Sequence, residues 1–187
     1  PAKACDCHVH VFAPDRFPFS PKRSYTPGPA TVDDLLAFET RIGMERLVLV
    51  QPSPYGADNA ALLDALYRLG ARARGVAVID PDRTSDAELD LLAAAGVRSV
   101  RVNLESSGNR NPREAERALY AAAARVAPHG WSVQVYASLP VLAELKEVVF
   151  RLPVPLVADH FGGARGEGGT GQPGFSRLIE MLESGKV

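Results

Sequence analysis

The sequence predicts an α/β fold built on parallel strands, and three observations predict it. Short β-branched runs alternate with amphipathic helical patterns along the whole chain. The strand runs are mostly apolar, as in a sheet covered on both faces or closed into a barrel. Polar residues gather where those apolar runs end, and parallel folds build their sites at strand C-termini.

The first strand is expected over Ala4–Val11 and carries Asp6-Cys7-His8-Val9-His10. Side chains alternate faces along a strand, so His8 and His10 point one way while Cys7, Val9 and Val11 point the other. The Pro-rich stretch Ala13–Ala30, with Phe17, Phe19 and Tyr25, reads as an ordered loop packed over the strand ends. A helix follows over Thr31–Ile42, where Thr31 and Asp34 have capping-box spacing. The second strand, Arg46–Gln51, runs into Pro52-Ser53-Pro54-Tyr55-Gly56, and a helix over Asp58–Leu69 comes next. The third strand, Gly75–Ile79, leads to Asp80-Pro81 and a helix over Asp86–Ala95. The fourth, Val97–Asn103, offers Arg101 and Asn103, and Asn111 then caps a helix, Pro112–Val126, with Pro in its first turn. The fifth, Ser132–Ala137, offers Gln134 and Tyr136 ahead of a helix over Pro140–Phe150. The sixth, Pro155–His160, ends in Asp159-His160-Phe161-Gly162-Gly163. A glycine-rich run to Gly174 and a helix over Phe175–Ser184 complete the pattern. Gly43, Gly70, Gly96, Gly130 and Gly185 stand where C-terminal glycines close helices.

Six strand–helix units are visible, and Lys186-Val187 reads as the first step of another strand. Two architectures fit: a doubly wound open sheet complete in six units, or an eight-unit barrel of about 250 residues with its last two units missing. No linker or repeat divides residues 1–187, so one domain is expected.

Composition narrows the function. The 187 residues carry a formal charge of −1 and are 46% hydrophobic, which suits a globular domain with a sizeable core. Near-zero charge argues against nucleic acid or an acidic membrane as partner, and no run approaches a membrane span. No secretory signal is visible. Cys5 and Cys7, two apart on one strand face, cannot form an unstrained disulfide, so reduced thiols and a cytoplasmic setting are expected.

His8, His10 and His160 lie at the ends of two distant strands, an arrangement that suits a shared polar site better than three separate structural histidines. Arg101 sits between Val100 and Val102 and faces away from both; turned inward, it needs a buried carboxylate or a substrate carboxylate. Asp6 is a candidate to cap backbone amides or orient a histidine, and Asp159 to orient a neighbour. His129, beside Gly130 at a helix C-terminus, reads as a dipole contact.

Asp6-x-His8-x-His10 together with Asp159-His160-x-Gly162 resembles the amidohydrolase superfamily, in the branch of the pyrone-dicarboxylate and sugar-lactone hydrolases. The stretches Val50–Asn59 and Gly96–Asn103, and Tyr136, are similar to the same branch. The resemblance implies a (β/α)8 barrel, incomplete in the stretch at hand, that hydrolyses a lactone bearing a carboxylate. It implies His8, His10 and His160 around the lactone carbonyl, and Ser53, Arg101, Tyr136 and Arg165 as substrate contacts. A further family arginine falls at Ser107 here, and an expected eighth-strand aspartate base has no counterpart. No cofactor is the first expectation, with one zinc on His8, His10 and His160 as the alternative; the fourth strand has no lysine to carry a carbamate bridge. The partner expected is a small-molecule lactone, with a homo-oligomer left open. A zinc-dependent decarboxylase and a non-catalytic binding protein are the other readings.

Overall fold

The structure, a computed structural model, describes residues 2–106, 108 and 110–187. Ser107 lies outside the described residues. The chain groups into two compact units, Pro1–Arg98 and Ser99–Val187.

In the first unit β1 (Cys5–Val9), β2 (Arg46–Val50) and β3 (Ala73–Ala77) pair in parallel in chain order. They alternate with α1 (Val32–Ile42), α2 (Ala60–Leu69) and α3 (Asp86–Ala94). The Thr31–Asp34 capping box forms as expected, and Ser85 with Glu88 makes a second one at α3. Leu47, Leu49, Leu62 and Leu66 are buried here, each a contribution of about 1.5–3 kcal/mol. β3 starts at Ala73, earlier than the sequence suggests, because Gly75 sits inside the strand and does not begin it. A Cβ at Gly75 would lie 2.7 Å from Leu66 Cδ1 and 3.0 Å from Val97 Cγ2, so glycine there lets α2 approach the sheet.

In the second unit β4 (Val97–Asn103, starting just ahead of the boundary), β5 (Ser132–Tyr136) and β6 (Leu156–Ala158) are again parallel and in chain order. Their helices are α4 (Pro112–Val126), α5 (Leu139–Glu144), α6 (Lys146–Arg151) and α7 (Phe175–Glu183). The single helix expected over Pro140–Phe150 is two, broken at Leu145, where ψ is 4°. β6 stops before the expected His160 because His160 and Phe161 have φ of 51° and 55°, outside any strand conformation. Six parallel strands alternating with helices make this the α/β class expected, six β/α units of the barrel type.

Register sorts the second unit's side chains. Arg101 lies opposite Gln134, and Gln134 opposite Val157. By strand alternation, Ser99, Arg101, Asn103, Ser132, Gln134, Tyr136 and Asp159 share one face. Val100, Val133, Val135 and Leu156, all buried, take the other face.

Glu39 on α1 is fully buried, and its pKa is raised from the ordinary 4.5 by burial first and by the neighbouring Asp6 carboxylate second. A carboxyl with a raised folded-state pKa stabilises fully below its unfolded value, and that contribution is lost as pH rises through the folded value. Glu39→Gln should therefore melt higher than the parent at pH 7, with the gap closing near pH 4. Thermal unfolding at both pH values checks this, and a gap unchanged between them would contradict it.

Candidate functional site

In the first unit the site residues lie in β1 and just beyond β1 and β2. Asp6 Oδ1 accepts the backbone N–H of His8 at 3.2 Å, the amide-capping role foreseen for it. His8 and His10 have ring centroids 5.0 Å apart in an edge arrangement, so the two rings do share a side. His10 Nδ1 lies 2.7 Å from the Val50 carbonyl oxygen. A carbonyl only accepts, so Nδ1 carries the proton, and Nε2 is the lone-pair nitrogen of the neutral ring. Ser53 opens a short 3-10 turn (Ser53–Tyr55) just beyond β2. Gln51, fully buried, holds this loop by donating to the carbonyls of Gly56 (3.2 Å) and Asp58 (2.7 Å). Phe19 packs on Tyr55 with centroids 4.9 Å apart, and the Tyr55 hydroxyl accepts from the Ala13 amide, so the Pro-rich stretch is ordered as expected.

In the second unit the site is a buried polar network. Arg101, 7% exposed, donates from Nε (3.0 Å) and Nη2 (2.8 Å) to Oδ2 of Asp159, itself 3% exposed. Gln134, also buried, donates from Nε2 to Oδ1 of the same carboxylate. Of the two anions that an inward Arg101 calls for, the structure supplies the buried carboxylate. The Arg101 guanidinium also lies 5.3 Å from the Tyr136 ring centroid, and the Tyr136 and His160 rings meet edge to face at 4.8 Å.

His160 leaves this network on an unusual backbone. His160, Phe161, Gly162 and Gly163 all have positive φ, from 51° to 73°. Each non-glycine member costs roughly 1–2 kcal/mol, so the turn persists only because its surroundings hold it. A Cβ at Gly163 would fall 2.6 Å from the Leu139 amide nitrogen and 2.8 Å from the Ala137 oxygen. Tyr136, His160 and Arg165 line one cavity of about 700 Å³ within this unit. His129 stacks near Trp131 and belongs to no site described here.

Three residues had no role assigned from sequence: Gln134, Arg110 and Gln172. A glutamine between Val133 and Val135 in a buried strand was the available signal for the first, since buried amides need partners. Arg110 joins the cavity wall and Gln172 ties the glycine-rich loop, and nothing in their local sequence marks either role.

Comparison with known proteins settles the family. The amidohydrolase family model matches residues 5–187. The chain belongs to the amidohydrolase family. Among curated amidohydrolase relatives, a 2-pyrone-4,6-dicarboxylate hydrolase of Comamonas testosteroni is 39% identical over 97% of this chain and 59% of its own length. A 4-sulfomuconolactone hydrolase of Rhizobium radiobacter is 33% identical over 97% of this chain and 60% of its own. A Pseudomonas putida structure, described as a 2-pyrone-4,6-dicarboxylic acid hydrolase, aligns with TM-score 0.85 at 32% identity over 99% of this chain and 67% of that one. The chain thus spans about three fifths of the curated relatives it matches.

Two substitutions test the second unit's network. Gln134→Leu keeps the volume but strips Asp159 Oδ1 of its donor, and should cost about 1–3 kcal/mol in urea unfolding. Gly163→Ala forces a Cβ into backbone at positive φ and should cost at least about 1 kcal/mol. Unchanged unfolding midpoints in both variants would show that the network and turn bear no strain.

Proposed function

We propose that this chain contributes the histidine-bearing part of a hydrolase that opens a lactone ring carrying a carboxylate. The single observation that carries the reading is the family match together with relatives named as hydrolases of 2-pyrone-4,6-dicarboxylate and 4-sulfomuconolactone. In the reaction, water adds to the ring carbonyl and the ring C–O bond breaks, leaving an acid and an alcohol or enol. His8, His10 and His160 surround the carbonyl; His8 and His160 donate to the oxygen as it gains charge, the kind of assistance worth about 10²–10³ in rate per donor, while His10, its Nδ1–H given to Val50, presents Nε2 as an acceptor. Ser53 and Tyr136 contact the substrate, and Arg165 faces its carboxylate. Arg101, its charge met by Asp159, holds the His160 strand end in place. The proton acceptor for the attacking water is assigned to none of these residues. No helix among the described residues is long and apolar enough to cross a membrane, and both cysteines are free, which suits a cytoplasmic setting.

One observation favours a metal-assisted version. A histidine that donates Nδ1–H to a backbone carbonyl, as His10 does, is oriented as metal-ligating histidines are, with Nε2 presented. In that version the imidazoles of His8, His10 and His160 would be the ligands of one divalent ion. Such an ion would polarise the same carbonyl, while the chain's residues keep the positioning roles given above. The metal-free version stands first here.

Lactone turnover followed with His160→Ala checks both. The expected result is loss of about 10²–10³ in kcat with circular dichroism unchanged, and parent activity that survives chelator treatment. Unchanged turnover would remove His160 from the site. Stoichiometric zinc lost together with activity would move the reading to the metal-assisted version.

A further inference from the structure

We propose that Glu39, fully buried on α1, is a positioning residue for the histidine pair: its carboxyl holds Asp6, and Asp6 holds the β-bulge that turns His8 and His10 to one side. The proposal rests on the lactone-opening reading for what the imidazoles do, and it gives a role to a buried acid that the reaction does not use.

The bulge lies between two register marks. Asp6 stands opposite Leu47 and Val9 opposite Leu49, so β1 advances three residues while β2 advances two. Cys7 and His8 therefore face Val48 alone, the two-against-one count of a bulge. Such bulges are rare between parallel strands and re-aim side chains beside active sites. Here the extra residue changes which face the histidines take. Leu47 and Leu49, two apart, point to one buried side, and Asp6 and Val9 point there with them. His10 follows Val9 and so points to the other side, with the His8 ring 5.0 Å away. In an unbulged strand Asp6, His8 and His10 would share one face, and both imidazoles would turn toward Glu39.

Asp6 holds the bulge, and Glu39 holds Asp6. A bulge disrupts the ladder locally, and Asp6 Oδ1 supplies an acceptor there, taking the His8 backbone N–H at 3.2 Å. Behind Asp6 lies the buried Glu39 carboxyl. Among the described residues no N–H or hydroxyl group donates to either Glu39 oxygen; its hydrogen-bond partner is the Asp6 carboxyl. Two carboxyl groups bond to each other only with a proton between them. Burial first, and the Asp6 charge next, raise the pKa of Glu39 against an opposing pull from Arg72, which puts that proton on Glu39. Glu39 thus donates to Asp6 while Asp6 accepts from His8. The chain of contacts runs from the interior of α1 to the backbone that aims the imidazoles, and it touches neither ring.

Long-range nitrogen–proton NMR of the histidine rings reads their setting directly, in the parent protein and in Glu39→Gln, Glu39→Leu and Asp6→Ala. Spectra are taken at about pH 7.5, where an ordinary imidazole is neutral, and lactone turnover is measured on the same preparations. The parent should show His10 with its proton fixed on Nδ1 by the Val50 carbonyl. Glu39→Gln still donates to Asp6 and should keep that tautomer and most of kcat. Glu39→Leu, of similar bulk and without a donor, should give mixed tautomers at His10 and lose about tenfold or more in kcat, with KM held within about twofold. Asp6→Ala should do the same. If circular dichroism shows Glu39→Leu unfolded, Asp6→Ala carries the test with Glu39→Gln as its control. A parent tautomer or a parent kcat in Glu39→Leu and Asp6→Ala, or mixed tautomers in Glu39→Gln, would overturn the proposal. Tautomers that shift as expected in a protein without turnover sink the lactonase reading and leave the positioning role standing, whereas turnover with tautomers unmoved sinks the positioning role alone.

Discussion

The bond pattern on Asp159 is the constraint on which the second unit depends. One carboxylate, 3% exposed, takes Arg101 on one oxygen and Gln134 on the other. Three strands each deliver one member. An ion pair out of water repays its desolvation only when its geometry is good and its remaining hydrogen-bonding sites are met. The parallel register meets that demand directly, because it sets Arg101 opposite Gln134 and brings Asp159 to the same face two residues past the pairing partner of Gln134. A one-residue slip of any strand would turn its polar member onto the helix-covered face and leave a charge or amide buried without its partner.

That constraint reaches the site through one peptide bond. Asp159 is fixed by the network, and His160 follows it into a run of four positive-φ residues. Gly162 and Gly163 make the run sterically feasible. A Cβ at Gly162 would lie 2.8 Å from Leu178, and one at Gly163 closer still to the backbone that opens α5. The imidazole of His160 is thereby turned toward Tyr136, whose other neighbour is the Arg101 guanidinium. Structural rigidity and presentation of chemistry are the same set of contacts here. In the first unit the equivalent device is smaller: a carbonyl at the end of β2 settles which nitrogen of His10 carries its proton.

Much of the fold was legible because periodicity and punctuation agree. Thr31 with Asp34, Asn111 before Pro112, and Gly43 and Gly130 in left-handed conformation all mark helix ends where they were read. The misreadings have physical causes. Gly75 looked like a strand boundary and is instead a close-approach position inside β3. Leu145 breaks a helix without a glycine or proline to announce it. His160 looked like the last residue of a strand because nothing in a histidine's identity signals a positive φ. For the site, the histidines were readable as motif, and Arg101 as an inward cation owing a partner. The identity of that partner was not, since it depends on register between strands 58 residues apart in sequence. Arg110 and Arg165 become neighbours of one cavity only through the loops that carry them, and loop paths leave no periodic trace.

The central claim is that Arg101 is a partner of Asp159 before it is anything to a substrate. A double-mutant cycle on unfolding free energy with Arg101→Met, Asp159→Leu and the double variant measures this directly. The account predicts that each single change costs about 3–5 kcal/mol, by stranding the other charge, and that the double variant costs at least about 2 kcal/mol less than their sum. Additive costs would contradict it, and would return Arg101 to the status of an uncommitted cation.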